Sequence, residues 1–227
     1  MSISHKILKT RQRQDRDNYH PTLKLRVHRA LSWLDRAEKS SDDLDGKFIF
    51  LWIAFNAAYA SPINIDAKNP EQKVFSEFLT KLLHLDTHKT IDNMLWQKYS
   101  GNIRVLLDNH FVFHDFWLSQ QGVIDKAAWV SRFKKANKLA FIKLGEQDSV
   151  ITLSIVLSRI YTLRNQLVHG GATWNGNVNR VQVRDCSAFM EKFVPLVLAV
   201  MMDHPDEIWG QAVYPVVDDD NKNKVTA

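Results

Sequence analysis

The stretch KFIFLWIAFNAAYA, residues 47–60, is apolar almost throughout, and Asn56 is its one interior polar residue. A helix that is apolar on every side belongs in the interior of a helical protein. We therefore predict a central buried helix, in which Asn56 requires a hydrogen-bond partner. The chain has only 8 glycines and 6 prolines in 227 residues, which disfavours a turn-rich all-β fold. The predicted fold class is all-α.

An amphipathic helix is predicted upstream of this stretch, over residues 22–39, TLKLRVHRALSWLDRAEK. Its apolar residues recur at three- and four-residue spacing, which indicates one core-facing stripe. The stripe consists of Leu23, Val27, Ala30, Leu31, Leu34 and Ala37. Thr22, which follows Pro21, is the predicted N-terminal cap.

Downstream, helical patterns continue to the end of the periodic sequence. Several amphipathic segments occupy residues 71–143, and none of them carries an evident chemical motif. A helix is predicted over 147–169 and a last one over 183–203. The valines 178, 181 and 183 partly alternate, which leaves a short extended piece open before the last helix.

Positive charge is concentrated at the N-terminus. The formal net charge is +5, and eight of the basic residues but only two acids lie within residues 1–30. We predict a basic N-terminal arm over 1–20, either loose or a frayed helix. Its candidate phosphate contacts are Lys6, Lys9, Arg11, Arg13 and Arg16, and a solvated charged arm is the alternative. A polar C-terminal tail is predicted over 206–227, with disorder from 218 onward.

The composition also bears on the compartment and on cofactors. Cys186 is the only cysteine, so an intrachain disulfide is excluded. The longest apolar run, residues 48–55, is too short to cross a bilayer, and the start of the chain does not resemble a secretory signal. We expect a cytoplasmic protein without a membrane contact. His110 and His114 lack a third ligand at a suitable spacing, so we predict neither a metal nor another cofactor.

The stretch YTLRNQLVHGGATWNG, residues 161–176, is the strongest candidate for a chemical site. On a helical wheel Arg164 lies about 20° from Leu157, within the predicted apolar stripe. A guanidinium is costly to bury without a partner. Arg164 must therefore pair with an internal acid, extend along its stem to water, or face a second protein chain.

His169 follows Arg164 by five positions, which places it about 140° around the helix. Asn165 precedes His169 by four positions and shares its face. One helix alone thus pairs Asn165 with His169 and leaves the arginine aside. Two such helix ends packed antiparallel in a two-fold dimer would bring each Arg164 near the other chain's His169. Gly170 is expected to form a left-handed cap, so that His169 lies in the last turn.

Three segments resemble one known family. Residues 164–169 form an R-N-x-x-x-H pattern, which is similar to the Arg–polar–x–x–x–His motif of the HEPN superfamily. Residues 29–39 resemble the opening helix of that superfamily, and 51–60 together with 164–171 resemble its ApeA-like branch. The resemblance implies one HEPN-like bundle of up-and-down core helices over 21–205. A helical insertion at about 62–145 would separate core helices two and three.

The resemblance also implies a function. The superfamily contains many RNA-cleaving toxins and phage-defence nucleases, which act without metal at a site shared by two subunits. Arg164, Asn165 and His169 would then be catalytic, in a homodimer that cleaves RNA and that an antitoxin or another regulatory protein controls. His169 would act as base, acid or both, Arg164 would neutralise the phosphate, and Asn165 would orient His169 or bind a phosphate oxygen.

Two hypotheses compete with that of an RNA endonuclease. A non-catalytic HEPN-type module would dimerise or bind RNA or a partner, with Arg164 held by an internal acid. A plain helical scaffold would carry Arg164 and His169 as ordinary helix-end residues. The long interval 62–145 could cover the site, supply substrate contacts or indicate a member that no longer cleaves.

Overall fold

The computed structural model describes residues 3–60 and 70–214, apart from the side chains of 70–74. Every regular element in these two ranges is helical, and neither range contains a strand, which confirms the all-α prediction. The helices are α1 (His5–Asp15), α2 (Pro21–Glu38), α3 (Leu44–Tyr59), α4 (Pro70–Leu85), α5 (Thr90–Asn93), α6 (Ser100–Asp108), α7 (His114–Gln120), α8 (Lys126–Gly145), α9 (Ser149–Val168) and α10 (Arg180–Asp203). A π-helical turn (Met94–Lys98) and two 3₁₀ turns (Arg16–Asn18, His110–Val112) lie between them.

Helix α3 is central, as predicted, and packs against α2, α9 and α10. Its Phe55 is fully buried, and its ring contacts those of Trp52, Tyr59, Phe75, Phe78 and Phe193. The prediction that Asn56 lies in the interior and requires an internal hydrogen-bond partner is wrong, however. Asn56 is exposed on a strip of α3 that no helix of the described ranges covers, so that water rather than an internal partner can satisfy its amide.

Helix α2 follows the sequence prediction closely. All six residues of its predicted stripe are fully buried. The cap differs, because the residue before the helix is His20, whose Nδ1 accepts a hydrogen bond from the Thr22 backbone N–H at 3.3 Å. Pro21 is therefore the first helical residue, where its missing N–H costs nothing.

The N-terminal segment is a packed helix and not the predicted loose or frayed arm. Helix α1 buries Leu8 and Gln12 against the rest of the protein and contacts both α2 and α10. Arg11 fixes it to the end of α10, with Nη1 2.6 Å from Asp203 Oδ1 and Nη2 3.0 Å from the Met202 carbonyl oxygen. Weak apolar patterning concealed this helix, which buries one leucine and makes long-range polar contacts that the sequence does not show, among them a hydrogen bond from the His5 backbone N–H to Glu38 Oε1 at 2.7 Å.

The helices between α3 and α9 belong to the body of the protein. Helix α4 packs against α9 and α10 and contributes Leu79 and Leu82 to the core. Helix α8 packs against α6, α7 and α9. The interval 62–145 that sequence analysis treated as an insertion therefore shares the buried interior with α9 and α10, as far as its described part extends.

The C-terminal part also differs from the predicted pattern. Helix α10 begins at Arg180, so Val181 and Val183 are helical and no extended piece precedes the helix. Trp209 is buried, which shows that the predicted polar tail begins with a packed segment. The stretch 218–227, predicted to be disordered, lies outside the described residues. Within the described ranges, no helix combines the length and the apolar character needed to cross a bilayer.

Candidate functional site

Helix α9 begins and ends with well-formed caps. The Asp148 side chain accepts a hydrogen bond from the Ile151 N–H at its start. At its end, Gly170 has φ +71°, and the N–H groups of Gly170 and Gly171 bond back to the carbonyls of Leu167 and Gln166. This pair of bonds is the Schellman arrangement, and it confirms the predicted left-handed glycine cap. The cap ends the helix sharply and leaves His169 as the last residue before the turn.

Arg164 is half-buried and does not lie in the middle of the core-facing stripe. Its Nη1 donates a hydrogen bond to Asn165 Oδ1 at 2.9 Å. It forms no ion pair with a carboxylate within the described ranges. The sequence left open that Arg164 pairs with an internal acid, and the described ranges contain no such pair.

His169 is exposed at the tip of α9. Its backbone N–H bonds to the Asn165 carbonyl oxygen at 3.0 Å, and its imidazole makes no hydrogen bond to any described residue. The structure brings Arg164 and Asn165 together but does not pair Asn165 with the imidazole. Within one chain the amide thus positions the guanidinium, whereas sequence analysis had paired the amide with the histidine.

A cleft of about 560 Å³ adjoins Arg164 between α2, α3 and α9. Arg29 from α2 and Arg164 from α9 both line it, and the exposed Asn56 lies on the α3 wall. Five aromatic side chains complete the lining, and its described part contains no acidic residue. Arg29 donates a hydrogen bond from Nη1 to the Tyr214 carbonyl oxygen at 2.5 Å, which fixes Tyr214 at the rim.

The loop that follows His169 is held by residues at the start of α3. Asp45 Oδ2 accepts hydrogen bonds from the Asn175 backbone N–H at 2.7 Å and from Arg180 Nη2 at 2.9 Å. Asp43 accepts one from the Trp174 indole N–H at 3.1 Å. These acids fix the loop between α9 and α10, and thereby the position of the tip of α9.

Four of the predicted N-terminal contacts, Lys6, Lys9, Arg13 and Arg16, form a basic ridge along α1 and the 3₁₀ turn that follows it. Lys6, Lys9 and Arg13 lie within about 60° of one another around α1, and Arg16 begins the 3₁₀ turn. Burial, together with the nearby Arg13 and Arg16 guanidiniums, holds the pKa of Lys9 below its ordinary value. Arg11 points the other way and is engaged with Asp203 and Asp15, so it is removed from the set of phosphate contacts.

The ridge and the α9 tip are separate features of the surface. Arg11 contacts the last residue of α10, whereas the loop after His169 joins its first residue. The first and last residues of α10 lie at opposite ends of a helix of 24 residues, which is roughly 36 Å long.

The described ranges contain no group of three His, Cys, Asp or Glu side chains that could hold a metal ion. His110 lies instead among aromatic rings, with Phe111, Phe116 and Trp129 around it.

No family model matches this chain, and no curated protein or solved structure is significantly similar to it. A function can therefore be inferred only from the residues of this chain and from their geometry.

Two groups of residues were not predicted from the sequence. The first is the cleft lining, in which Arg29 and Trp33 are four positions apart on α2 and so share a face, a signal that was available in the sequence. The second is a pair of buried arginines, Arg26 and Arg159. Burial lowers the pKa of each to about 10, which leaves both charged at neutral pH.

Proposed function

We propose that this protein is a metal-independent RNA endonuclease of the HEPN type, which acts as a homodimer through Arg164 and His169. One observation carries the proposal. The R-N-x-x-x-H sequence lies at the end of a capped helix. The Arg164 guanidinium, which has no carboxylate partner among the described residues, faces a cleft, and the His169 imidazole is exposed at the tip of the helix. On this proposal the all-α fold is a HEPN-like bundle, and a role as a toxin or phage-defence effector follows from the family.

The chemistry would use the substrate's own hydroxyl. The RNA 2′-oxygen attacks the adjacent phosphorus, and the bond from phosphorus to the 5′-oxygen breaks. His169 takes the proton of the 2′-hydroxyl or gives one to the departing 5′-oxygen, or does both in turn. The products are a 2′,3′-cyclic phosphate and a 5′-hydroxyl, so atoms and protons balance without a metal.

Arg164 would stabilise the charge that accumulates on the phosphoryl oxygens, because its planar fork matches two of them at once. Asn165 would act as a positioning residue, since its amide oxygen already holds one arm of the guanidinium. The other guanidinium N–H groups make no hydrogen bond to a described residue, which leaves them for a phosphate.

The test is cleavage of single-stranded RNA by the purified protein in the presence of EDTA. We expect wild-type protein to cleave and His169→Ala to lose activity by a factor of about 10² or more, because proton transfer by a positioned side chain contributes a rate enhancement of that size. His88→Ala is a matched control, since His88 is also exposed but lies in the turn between α4 and α5. Circular dichroism would establish that all three proteins are folded.

Loss of activity in His88→Ala alone, or equal cleavage by His169→Ala and wild type, would contradict the assignment. A folded protein that binds RNA but cleaves none would instead identify a non-catalytic binding module. The bond between Arg164 and Asn165 and the lining of the cleft favour that alternative over a plain scaffold, because both are features that can hold a ligand without reacting with it.

A further inference from the structure

The cleft beside Arg164 has the composition of a nucleotide site. Its volume of about 560 Å³ falls within the range of roughly 300–1,000 Å³ that is usual for small-molecule sites. Arg29 and Arg164 approach it from two different helices, and neither forms an ion pair within the described part of the chain. Two cations that share a cleft without a counter-ion repel each other, and an anionic ligand between them would remove that cost.

The aromatic residues indicate what accompanies the anion. Trp33 is 38% exposed and Tyr214 is 77% exposed, although both line the cleft. The Trp33 ring stacks on Phe50 with centroids 5.7 Å apart, which holds the plane of the indole before a ligand arrives. An exposed ring that is held in place, as Trp33 is, is a typical platform for a nucleobase, and Tyr214 adds a second exposed ring at the rim.

The two guanidiniums of the cleft are also held in place, each by one hydrogen bond. Arg29 is bonded to the Tyr214 carbonyl, and Arg164 is bonded to Asn165, so each guanidinium has one arm fixed and others available. Asn56 adds an exposed amide on the third wall, with both a donor and an acceptor for a base edge. Preorganised groups lose little entropy on binding.

We infer that this cleft binds one nucleotide of a single-stranded nucleic acid, with its base against Trp33 and Tyr214 and its phosphate between Arg29 and Arg164. The inference rests on the proposed function, and it adds a substrate-binding site that includes neither His169 nor the partner chain. The bound nucleotide would lie next to the phosphate that is cleaved, because Arg164 serves both.

Binding can be tested without cleavage, because DNA lacks the 2′-hydroxyl. The probe is a short fluorescein-labelled oligodeoxythymidylate, followed by fluorescence anisotropy. We expect Arg29→Gln and Trp33→Ala each to weaken binding about tenfold or more, since stacking and charge are both lost in such sites. Trp33→Phe should retain most of the affinity, because it keeps a ring for stacking.

Lys135→Gln is the matched control. Lys135 lies on the exposed face of α8, outside the cleft, and the substitution removes the same unit charge as Arg29→Gln. We expect less than about a twofold effect from this exposed site. Equal weakening by Lys135→Gln and Arg29→Gln would overturn the inference, because the charge effect would then be non-specific.

Two competition measurements distinguish a nucleotide within a strand from a free nucleotide. Thymidine monophosphate and inorganic phosphate are added as competitors of the labelled strand. We expect displacement by unlabelled strand at far lower concentration than by either competitor. Displacement by the mononucleotide at the same concentration as by the strand would assign the cleft to free nucleotides and overturn the inference.

Failure of this inference can be told apart from failure of the proposed function. Binding that depends on Arg29 and Trp33, in a protein that cleaves no RNA, would reject the nuclease and keep the cleft. Cleavage that depends on His169, with binding that is indifferent to Arg29 and Trp33, would keep the nuclease and reject the cleft.

Discussion

At the scale of single residues, two buried arginines are stabilised in different ways. Arg26 is fully buried, and its guanidinium donates hydrogen bonds to the carbonyl oxygens of Ala58, Ala60, Gly210 and Gln211 at 2.7–3.2 Å. The guanidinium carbon of Arg159 instead lies 4.5 Å from the centroid of the Phe113 ring and 5.6 Å from the centroid of the Phe133 ring. Arg26 therefore connects three segments through polar contacts. Arg159 connects α9 to Phe113, just before α7, and to Phe133 on α8 through the faces of these rings.

The first prediction concerns Arg26. Arg26→Met should lower the free energy of unfolding by about 3 kcal/mol or more, because several buried carbonyls lose a charged donor. Urea denaturation followed by circular dichroism would measure it. Lys24→Met on the exposed side of the same helix is the control, for which we expect a change within about 0.5 kcal/mol. A stable Arg26→Met protein would mean that water satisfies those carbonyls.

At the scale of elements, the ends of the helices decide where the candidate residues lie. The cap on α9 requires a left-handed residue at Gly170, where an alanine would be strained. Gly145, at the end of α8, lacks that requirement, and a Cβ added there would meet no atom within 4 Å. Gly145 is the last residue of α8 and Gly170 follows the end of α9, so both glycines lie at a helix end but differ in backbone conformation.

The second prediction uses this difference. Gly170→Ala should destabilise the protein by about 1–2 kcal/mol, the cost of a left-handed alanine. Gly145→Ala should instead stabilise it by roughly 0.5–1 kcal/mol, because alanine loses less backbone entropy in a helix. Thermal denaturation of both variants measures the sign directly. If both substitutions shift the melting temperature in the same direction, the α9 cap does not control the end of the helix.

At the scale of the whole molecule, the two candidate catalytic groups do not converge within one chain. Arg164 lines the cleft between α2, α3 and α9, and His169 is exposed about 140° further around the helix. On the proposed function, a second copy would supply the missing group at a shared phosphate. By two-fold symmetry such a dimer would contain two equivalent sites.

The third prediction tests the shared site by mixing two inactive variants. Arg164→Ala and His169→Ala should each be inactive alone, and co-refolding them should restore about a quarter of wild-type activity. Half of the randomly formed dimers are mixed, and each mixed dimer has one intact site of two. Sedimentation velocity would confirm that dimers form. No recovery in demonstrated mixed dimers would mean that both groups act within one chain.

The sequence by itself determined the helical class, the buried stripe of α2 and the glycine stop after His169. These features depend on periodicity and on backbone preference, which are local properties of the chain. Only the tertiary structure decided that Arg159 is buried while Arg164 faces a cleft. The reason is that a helical wheel shows which residues share a face, but not which neighbour covers that face.

The same reason explains the other differences between prediction and structure. Asn56 lies on a helix that is apolar almost all round, yet it is exposed because α2, α9 and α10 leave that strip of α3 uncovered. Helix α1 packs because Arg11 reaches Asp203, a residue 192 positions away. The cleft forms where three helices and the segment 212–214 meet. Contacts between residues so distant in the chain leave no periodic pattern, and only the assembled fold brings their side chains together.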